Sequence, residues 1–388
     1  MHRKVLLLAG EESGMLYAER LGALLRAAGC EVRGYGDYGF HTADLAVMGF
    51  WPVLRRIFYF IGVARTMKRA ICGWRPDAVV TVDYPGLNLK LAAFAKKRGI
   101  PAVHIVCPQV WAWHRNRIPK VAAALSELLC FFPFEPSLFD GTGLKVKFIG
   151  HPLVRVVELE NADGAAAMSG KAAGRDRIVA LLPGSRIGEI RRILPRLLGA
   201  IAILSRRHAE DARAKGRGEP AFRAVIPAAH RGAEMEIRRI LGEASDLPPV
   251  EVRLGGARQL LREAHCAAVA SGTATLEAAL ARCPTVLVYA VSPILAWFAR
   301  RVITGVRHVG LANIIAEKCG FEPPMPELLQ EDFTSDAVAD RLEAWLDSAE
   351  ARADAAARLD AAMEHLRADG TPLEIAAHEI LAALPPSQ

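Results

Sequence analysis

The sequence predicts an α/β protein built from two doubly wound halves, and three observations predict it. Short aliphatic runs alternate with stretches of helical periodicity along most of the chain. Twice, at residues 4–9 and 178–182, such a run ends in a glycine-containing loop that opens a helix, the first step of a βαβ unit. Between the two, residues 155–177 break the rhythm. They carry Asn161, Asp163, Gly164, Gly170 and Gly174 among many alanines and read as a linker with a weak helix. A single eight-stranded barrel would need evenly spaced strands and leaves that break unexplained. The division therefore falls into 1–170 and 171–388, and ligands belong at the carboxyl ends of the strands.

The elements follow in order. In the first half, strands are expected over 4–9, 31–36, 77–82, 101–106, 128–132 and 146–149. Residues 16–28 carry a helical period with Gly29 as its C-cap, and 87–97 form a helix closed by Arg98-Gly99. In the second half, strands are expected over 178–182, 222–226, 250–254, 266–270 and 285–289, with helices between. The tail over 334–384 is mostly helical, and the alanine-rich 349–362 has high helix propensity. Nearly continuous aliphatic strands flanked by helices favour a parallel sheet buried on both faces.

Composition supports two real cores. Of 388 residues 52% are hydrophobic and 23% charged, which excludes a disordered chain. Lys and Arg number 49 against 42 Asp and Glu, a net +7. So mild an excess allows an anionic partner and does not point to nucleic acid. The 7 cysteines are scattered without a CxxC pair, which argues against a disulfide framework or a structural zinc site. No apolar run approaches the roughly 20 residues of a membrane-spanning helix; residues 57–64, between Arg55-Arg56 and Arg65, are the most hydrophobic local stretch. Spanning is excluded, and surface attachment is left open.

Six segments are candidates for function. The loop Gly10-Glu11-Glu12-Ser13-Gly14 exposes N–H groups at a helix start, suited to an anion or a closely approaching sugar; a tight turn needs the same glycines. Asp83 stands past a strand end before Pro85-Gly86, where a carboxylate is either a general base or a turn former. Residues 107–114 place Trp111, Trp113 and His114 beyond a strand and ahead of Arg115, Arg117 and Lys120. The tryptophans either roof a core edge or line a sugar or lipid site, and the cations suit a phosphate. Residues 51–75 carry Arg55, Arg56, Arg65, Lys68, Arg69 and Arg75 with no acidic residue, interleaved with Trp51, Phe58 and Phe60. That is a basic amphipathic helix for an anionic membrane surface, or an ordinary helix with a core side. In the second half, Gly184-Ser185-Arg186 and Ser271-Gly272-Thr273 are loops opening helices, a diphosphate site in pattern. Glu277, in the first turns of its helix, can accept from two ribose hydroxyls or simply stabilise the helix start.

The order of these segments resembles the lipid-A-disaccharide synthase family along nearly the whole chain. The resemblance is carried by 10–14, Leu45-Ala46-Val47-Met48-Gly49, Val82-Asp83-Tyr84-Pro85, and Pro108-Gln109-Val110-Trp111-Ala112-Trp113. It continues through Phe134-Glu135, 148–152, 182–189, 271–277 and Pro326-Glu327-Leu328-Leu329-Gln330. It implies a glycosyltransferase B-like fold, two Rossmann-like domains facing a cleft, with a helical C-terminal tail. It also implies an inverting enzyme that joins UDP-2,3-diacylglucosamine to 2,3-diacylglucosamine 1-phosphate without metal or other cofactor. The first domain then takes the acceptor and the second the UDP-sugar. By the same resemblance Asp83 is the candidate base, with Glu11 and Arg186 also catalytic. Ser185, Arg186, Ser271, Gly272, Thr273, Glu277, Asn313 and Gln330 bind UDP. Ser13, Trp51, Arg55, Arg56, Phe58, Phe60, Arg65, Lys68, Arg69, Trp111 and Trp113 form the acceptor or membrane surface. A cytoplasmic protein peripheral to the inner membrane is implied, as is a homodimer exchanging C-terminal helices. Two departures stand out: Met15 occupies a position where the family usually has Asp, and residues 34–43 are shorter than the family's acceptor loop. Other readings of the same architecture are another UDP-sugar transferase, a UDP-GlcNAc 2-epimerase-like enzyme, or a non-catalytic lipid or nucleotide binder.

Overall fold

The computed structural model describes residues 3–10, 12–40, 57–163, 177–214, 222–244, 247–292, 301 and 305–385. By Cα proximity the chain forms two units: Met1–Pro152 with Leu366–Gln388, and Leu153–His365.

The first unit is a six-stranded parallel sheet in the order β2-β1-β3-β4-β5-β6. Its strands are β1 (Arg3–Ala9), β2 (Cys30–Arg33), β3 (Ala78–Val82), β4 (Ala102–Ile105), β5 (Glu127–Cys130) and β6 (Lys145–Phe148). Between them run α1 (Glu12–Ala27), α2 (Ile57–Trp74), α3 (Pro85–Lys96) and α4 (Ile118–Ala124). Alternation along β1 sets the two faces. Val5, Leu7 and Ala9 join the core under α1, with Tyr17, Leu21 and Leu25, while Leu6 and Leu8 join Val63, Met67 and Ile71 of α2. Burial on both faces is why these strands read as aliphatic runs.

The second unit repeats the scheme in the order β12-β11-β10-β7-β8-β9. α5 (Pro152–Asp163) leads into it. Then follow β7 (Arg177–Leu182), α6 (Ile187–Ala214), β8 (Phe222–Ala228), α7 (Arg231–Gly242), β9 (Val250–Leu254) and α8 (Ala257–Glu263). β10 (Cys266–Ala270), α9 (Thr273–Leu280), β11 (Thr285–Tyr289), α10 (Leu311–Lys318) and β12 (Glu327–Leu329) complete the sheet; α11 (Ser335–Asp347) packs on it, and α12 (Ala349–Glu364) packs on α9, α10 and α11.

The units divide elsewhere than at residue 170. The last helix, α13 (Pro372–Ala383), belongs to the first unit, where Ala376, Ala377, Ile380 and Leu384 complete the core beside Tyr17 and Leu21. Tyr17 Oη donates to Pro372 O at 3.1 Å, and Lys145 and Lys147 both reach the buried Glu379, at 2.7 and 2.6 Å. Residue 170 itself lies outside the described residues.

Candidate functional site

In the second sheet the chain winds outward through β8 and β9, then returns to place β10 on the other side of β7. The loops after β7 and β10 lead to helices on opposite faces, so a crevice opens at their carboxyl ends. A cavity of about 350 Å³ lies there. It brings together Ser185, Arg186, Ser271, Gly272, Thr273 and Glu277 from two loops distant in sequence.

Local geometry explains these residues. Gly184 has φ +103°, and a Cβ on it would stand 2.7 Å from the Glu189 carboxylate. Glu189 accepts from Arg186 Nη1 at 3.0 Å and so holds an exposed guanidinium at the cavity. Gly272, at φ +147°, precedes α9 with no side-chain cap; Thr275 N is bonded to Gly272 O at 3.1 Å, which leaves the N–H groups of Thr273 and Ala274 as donors at the cavity wall. Ser271 Oγ donates to Val309 O at 3.3 Å. Burial pushes the Glu277 carboxyl up, and Arg258, with Nη1 3.4 Å away, opposes that shift. Arg258 is itself held by Glu160 at 2.9 Å. His230, which the sequence reading did not single out, orders the first loop. Its Nδ1 accepts from Ala233 N at 3.1 Å, so the proton sits on Nε2, 3.1 Å from Ser185 O.

Asn313 and Gln330 do not line this cavity. Asn313 is fully buried. Its Nδ2 donates to Met325 O and to Glu327 Oε1, both at 2.8 Å, and its Oδ1 accepts from Met325 N at 2.9 Å. Glu327 in turn accepts from the N–H groups of Val309 and Gly310, so this pair staples β12 to the start of α10. Direct contact with a nucleotide, as the sequence suggested for Asn313, is not open to a side chain so engaged. Gln330 follows β12 with φ +52°, and its Oε1 accepts from Val291 N at 3.4 Å.

In the first sheet the winding reverses between β1 and β3, and Asp83 stands just past β3. Asp83 and Tyr84 are both left-handed, at φ 50° and 52°, and Val106, past β4, has φ 78°. Such conformations cost about 1–3 kcal/mol each and persist where the surroundings impose them. Here they do. Asp83 N donates to Ile105 O at 2.9 Å, and the buried Asn88 donates through Nδ2 to Asp83 O at 2.8 Å and Val82 O at 3.2 Å. Tyr35 Oη fixes Asn88 by donating to its Oδ1 at 2.8 Å. The Tyr84 ring takes the space beside Gly10, where a Cβ would come within 2.5 Å of it. One Asp83 oxygen accepts from Tyr84 N at 2.8 Å, and burial raises the carboxyl above the usual aspartate range. Asp83 is thus a turn former whose carboxyl is shifted by burial toward its neutral form.

The remaining expected residues separate. Trp111 is buried, and its Nε1 donates to Glu135 at 3.1 Å, so it supports the loop from beneath and offers no surface. Trp113 is exposed beside His114. On α2, Phe58 is 84% exposed, and Ile61, Arg65 and Arg69 share its outer side while Val63, Met67 and Ile71 are core. The core reading of this stretch therefore holds for one face, while the opposite face is exposed and carries apolar and basic side chains. Phe60 packs toward Tyr84, and Lys68 lies over the Phe94 ring. Glu11, Trp51, Arg55 and Arg56 lie outside the described residues, as does the side chain of Ser13. Met15 lines a second cavity, of about 320 Å³, with Glu19 and Asp37.

Among the described residues two groups bring metal-ligating atoms within 4.8 Å of one another, Cys107–Cys130–Glu135 and His208–Glu343–Asp347. In the first, Glu135 already accepts from Trp111 and from Phe132 N; in the second, Arg207 holds Glu343 at 2.8 Å and Arg177 holds Asp347 at 3.2 Å. Neither group lines the donor-side cavity.

Comparison with known proteins places this geometry. The family model described as lipid-A-disaccharide synthetase matches residues 5–379. The lipid-A-disaccharide synthase of Aromatoleum aromaticum is 36% identical over 384 residues, covering 95% of this chain and 93% of the relative. That of Saccharophagus degradans is 35% identical over 359 residues, covering 89% and 88%. Among solved structures, the UDP-GlcNAc 2-epimerase of Neisseria meningitidis bound to UDP-GlcNAc superimposes with a TM-score of 0.57 at 13% identity, covering 98% of this chain and all of that one. A calicheamicin glycosyltransferase does so with 0.53 at 16%, covering 98% of each. At such identities the likeness is one of fold, the two-domain α/β fold of glycosyltransferase B enzymes and epimerases.

Proposed function

The chain belongs to the lipid-A-disaccharide synthetase family, glycosyltransferases of lipid A biosynthesis, and from that premise we propose that it joins UDP-2,3-diacylglucosamine to 2,3-diacylglucosamine 1-phosphate. The products are the β-1,6-linked disaccharide 1-phosphate and UDP. The observation that carries this reading is the cavity between the β7 and β10 loops, where a guanidinium, uncapped helix-start N–H groups and a carboxylate converge.

The chemistry follows from the residues. The acceptor's 6-hydroxyl attacks the donor's anomeric carbon from the face opposite UDP. Asp83 takes the hydroxyl proton as the new C–O bond forms. The bond to UDP breaks, and its electron pair leaves with the β-phosphate. Arg186 and the N–H groups of α9 meet the charge that develops there. Glu277 accepts from the ribose hydroxyls. The exposed strip of Phe58, Ile61, Arg65 and Arg69 contacts an anionic membrane, which fits a cytoplasmic enzyme peripheral to the inner membrane. No helix among the described residues is long and apolar enough to cross one. A homodimer exchanging C-terminal helices reuses the contacts of α13 with the first unit.

The test is incubation of the purified chain with both acylated monosaccharides, with disaccharide and UDP followed by mass spectrometry. Conversion of the donor sugar without acceptor would favour an epimerase. For the membrane strip, the expected outcome is that Arg65→Glu with Arg69→Glu releases the protein from phosphatidylglycerol vesicles, since each cation near such a surface is worth about 1 kcal/mol. Sedimentation unchanged by these substitutions would leave α2 a purely structural helix.

A further inference from the structure

An acceptor carrying a sugar phosphate needs a cationic subsite in the first unit, and one segment there has cations without acidic partners. Residues 113–117 (Trp113, His114, Arg115, Asn116 and Arg117) are all exposed, as is Lys120. From residue 107 to 126 the chain has no Asp or Glu, and no described carboxylate pairs with Arg115, Arg117 or Lys120. Most other arginines with described side chains in the second unit pair with carboxylates, as Arg191, Arg207, Arg239, Arg253 and Arg258 do. Arg117 stands over the Trp113 ring, 6.0 Å from its centroid, and the His114 ring lies 5.1 Å from that of Trp113.

The fold puts this group beside Asp83. β3 and β4 are neighbours, and Asp83 N donates to Ile105 O. α3 starts at Pro85, directly after Asp83-Tyr84, and α4 starts at Ile118, directly after the cations. The two helices run side by side: Lys96 Nζ, at the end of α3, reaches Ala122 O at 3.3 Å near the end of α4. Their starts therefore lie toward the same edge of the sheet. His114, left-handed at φ 61°, turns the chain so that Trp113 and the cations stand out together, with Arg117 N bonded to His114 O at 2.9 Å.

We propose that Arg115 and Arg117, with Lys120, bind the phosphomonoester of the acceptor sugar, while the exposed Trp113 covers a face of that sugar. Guanidinium matches phosphate by paired N–H donors, and an indole face matches the C–H face of a pyranose. The assignment rests on the synthase reading given above.

The experiment compares two acceptors, the acylated glucosamine 1-phosphate and the same sugar with a free anomeric hydroxyl, in detergent solution. For Arg115→Ala with Arg117→Ala, kcat/KM for the phosphorylated acceptor is expected to fall about 10- to 150-fold per lost charge-assisted contact. The value for the dephosphorylated sugar is expected to stay within about threefold, the range of a neutral surface change. Arg115→Lys with Arg117→Lys restores part of the preference, and donor KM is unmoved. Equal loss for both acceptors, or a preference that survives the double substitution, overturns the subsite. So does an unchanged preference accompanied by weaker binding to phosphatidylglycerol vesicles, which assigns the cations to the membrane. Wild-type protein that makes no disaccharide at all overturns the synthase reading and this one together, whereas activity with unaltered preference overturns the subsite alone.

Discussion

At Asp83 one side chain forms a turn and is proposed as the base, and a single substitution separates the two roles. Asparagine keeps the acceptor for Tyr84 N and tolerates φ near 50°. It cannot take a proton. Asp83→Asn is therefore expected to melt within a few degrees of wild type, to bind UDP normally, and to lose about 10²–10⁴-fold in kcat. Retention of more than about a tenth of the rate would remove Asp83 from the chemistry. Because burial lifts this carboxyl, the acid limb of the wild-type kcat profile should lie above the ordinary aspartate range. Glu277 makes a complementary case on the donor side. It lines the cavity with Arg258 beside it, so Glu277→Ala should weaken UDP binding in calorimetry by about 1–3 kcal/mol. Affinity equal to wild type would return Glu277 to a helix-start role. Both residues were legible as strand-end and helix-start carboxylates. Asn88, Tyr35 and His230 were not, because what makes them matter is a bond to a partner far along the chain or in another loop, which no local pattern encodes.

At the scale of elements, eleven of the twelve strands among the described residues were legible within a few residues, from 4–9 for β1 to 285–289 for β11: most are buried aliphatic runs, and the partly exposed β6 and β9 still alternate apolar with charged residues. β12 was missed: Glu327–Leu329 is three residues long and only partly buried, too short to show a period. The loop from β4 to α4 was legible as aromatic but not as layered. Trp111 lies within and Trp113 without, because Glu135, from the loop after β5, receives the Trp111 indole. Burial pushes the Glu135 carboxyl up to about 8, opposed by the Phe132 N–H and the Trp111 indole. Its folded value thus exceeds the unfolded one, so folding holds a proton that unfolding releases. The resulting stability is complete below about pH 4.5 and is lost as pH rises through about 8. Urea midpoints taken between pH 5 and 8 should fall for the wild type. Glu135→Gln should start about 1 kcal/mol lower, with one acceptor gone, and show a flatter profile. Parallel profiles for the two proteins would show that Glu135 titrates normally.

For the whole molecule, two doubly wound units were legible from the repeated strand–loop–helix openings, but the membership of the tail was not. α13 reads as one more amphipathic helix following α11 and α12, which belong to the second unit, and proximity in sequence suggests the same unit. Its apolar side instead completes the core of the first, against Tyr17 and Leu21, and Glu379 is fixed there by Lys145 and Lys147. Those two lysines pull the Glu379 carboxyl down to about 2, so its share of stability is present above about pH 4.5 and is lost as pH falls through about 2. Ile380 is completely buried in this contact, and truncating a buried isoleucine to alanine costs about 2–5 kcal/mol. That is a large part of the 5–15 kcal/mol typical of a domain. Ile380→Ala should therefore raise hydrogen exchange in β1, β3 and β4 by up to several orders of magnitude. The amides of β7, β8 and β10 should stay as protected as in the wild type, and UDP should bind with unchanged affinity. Exchange followed by mass spectrometry reads both sheets in one experiment. If β7 and β10 lost protection while β1 and β3 kept theirs, α13 would belong to the second unit in solution and the expected division at residue 170 would stand.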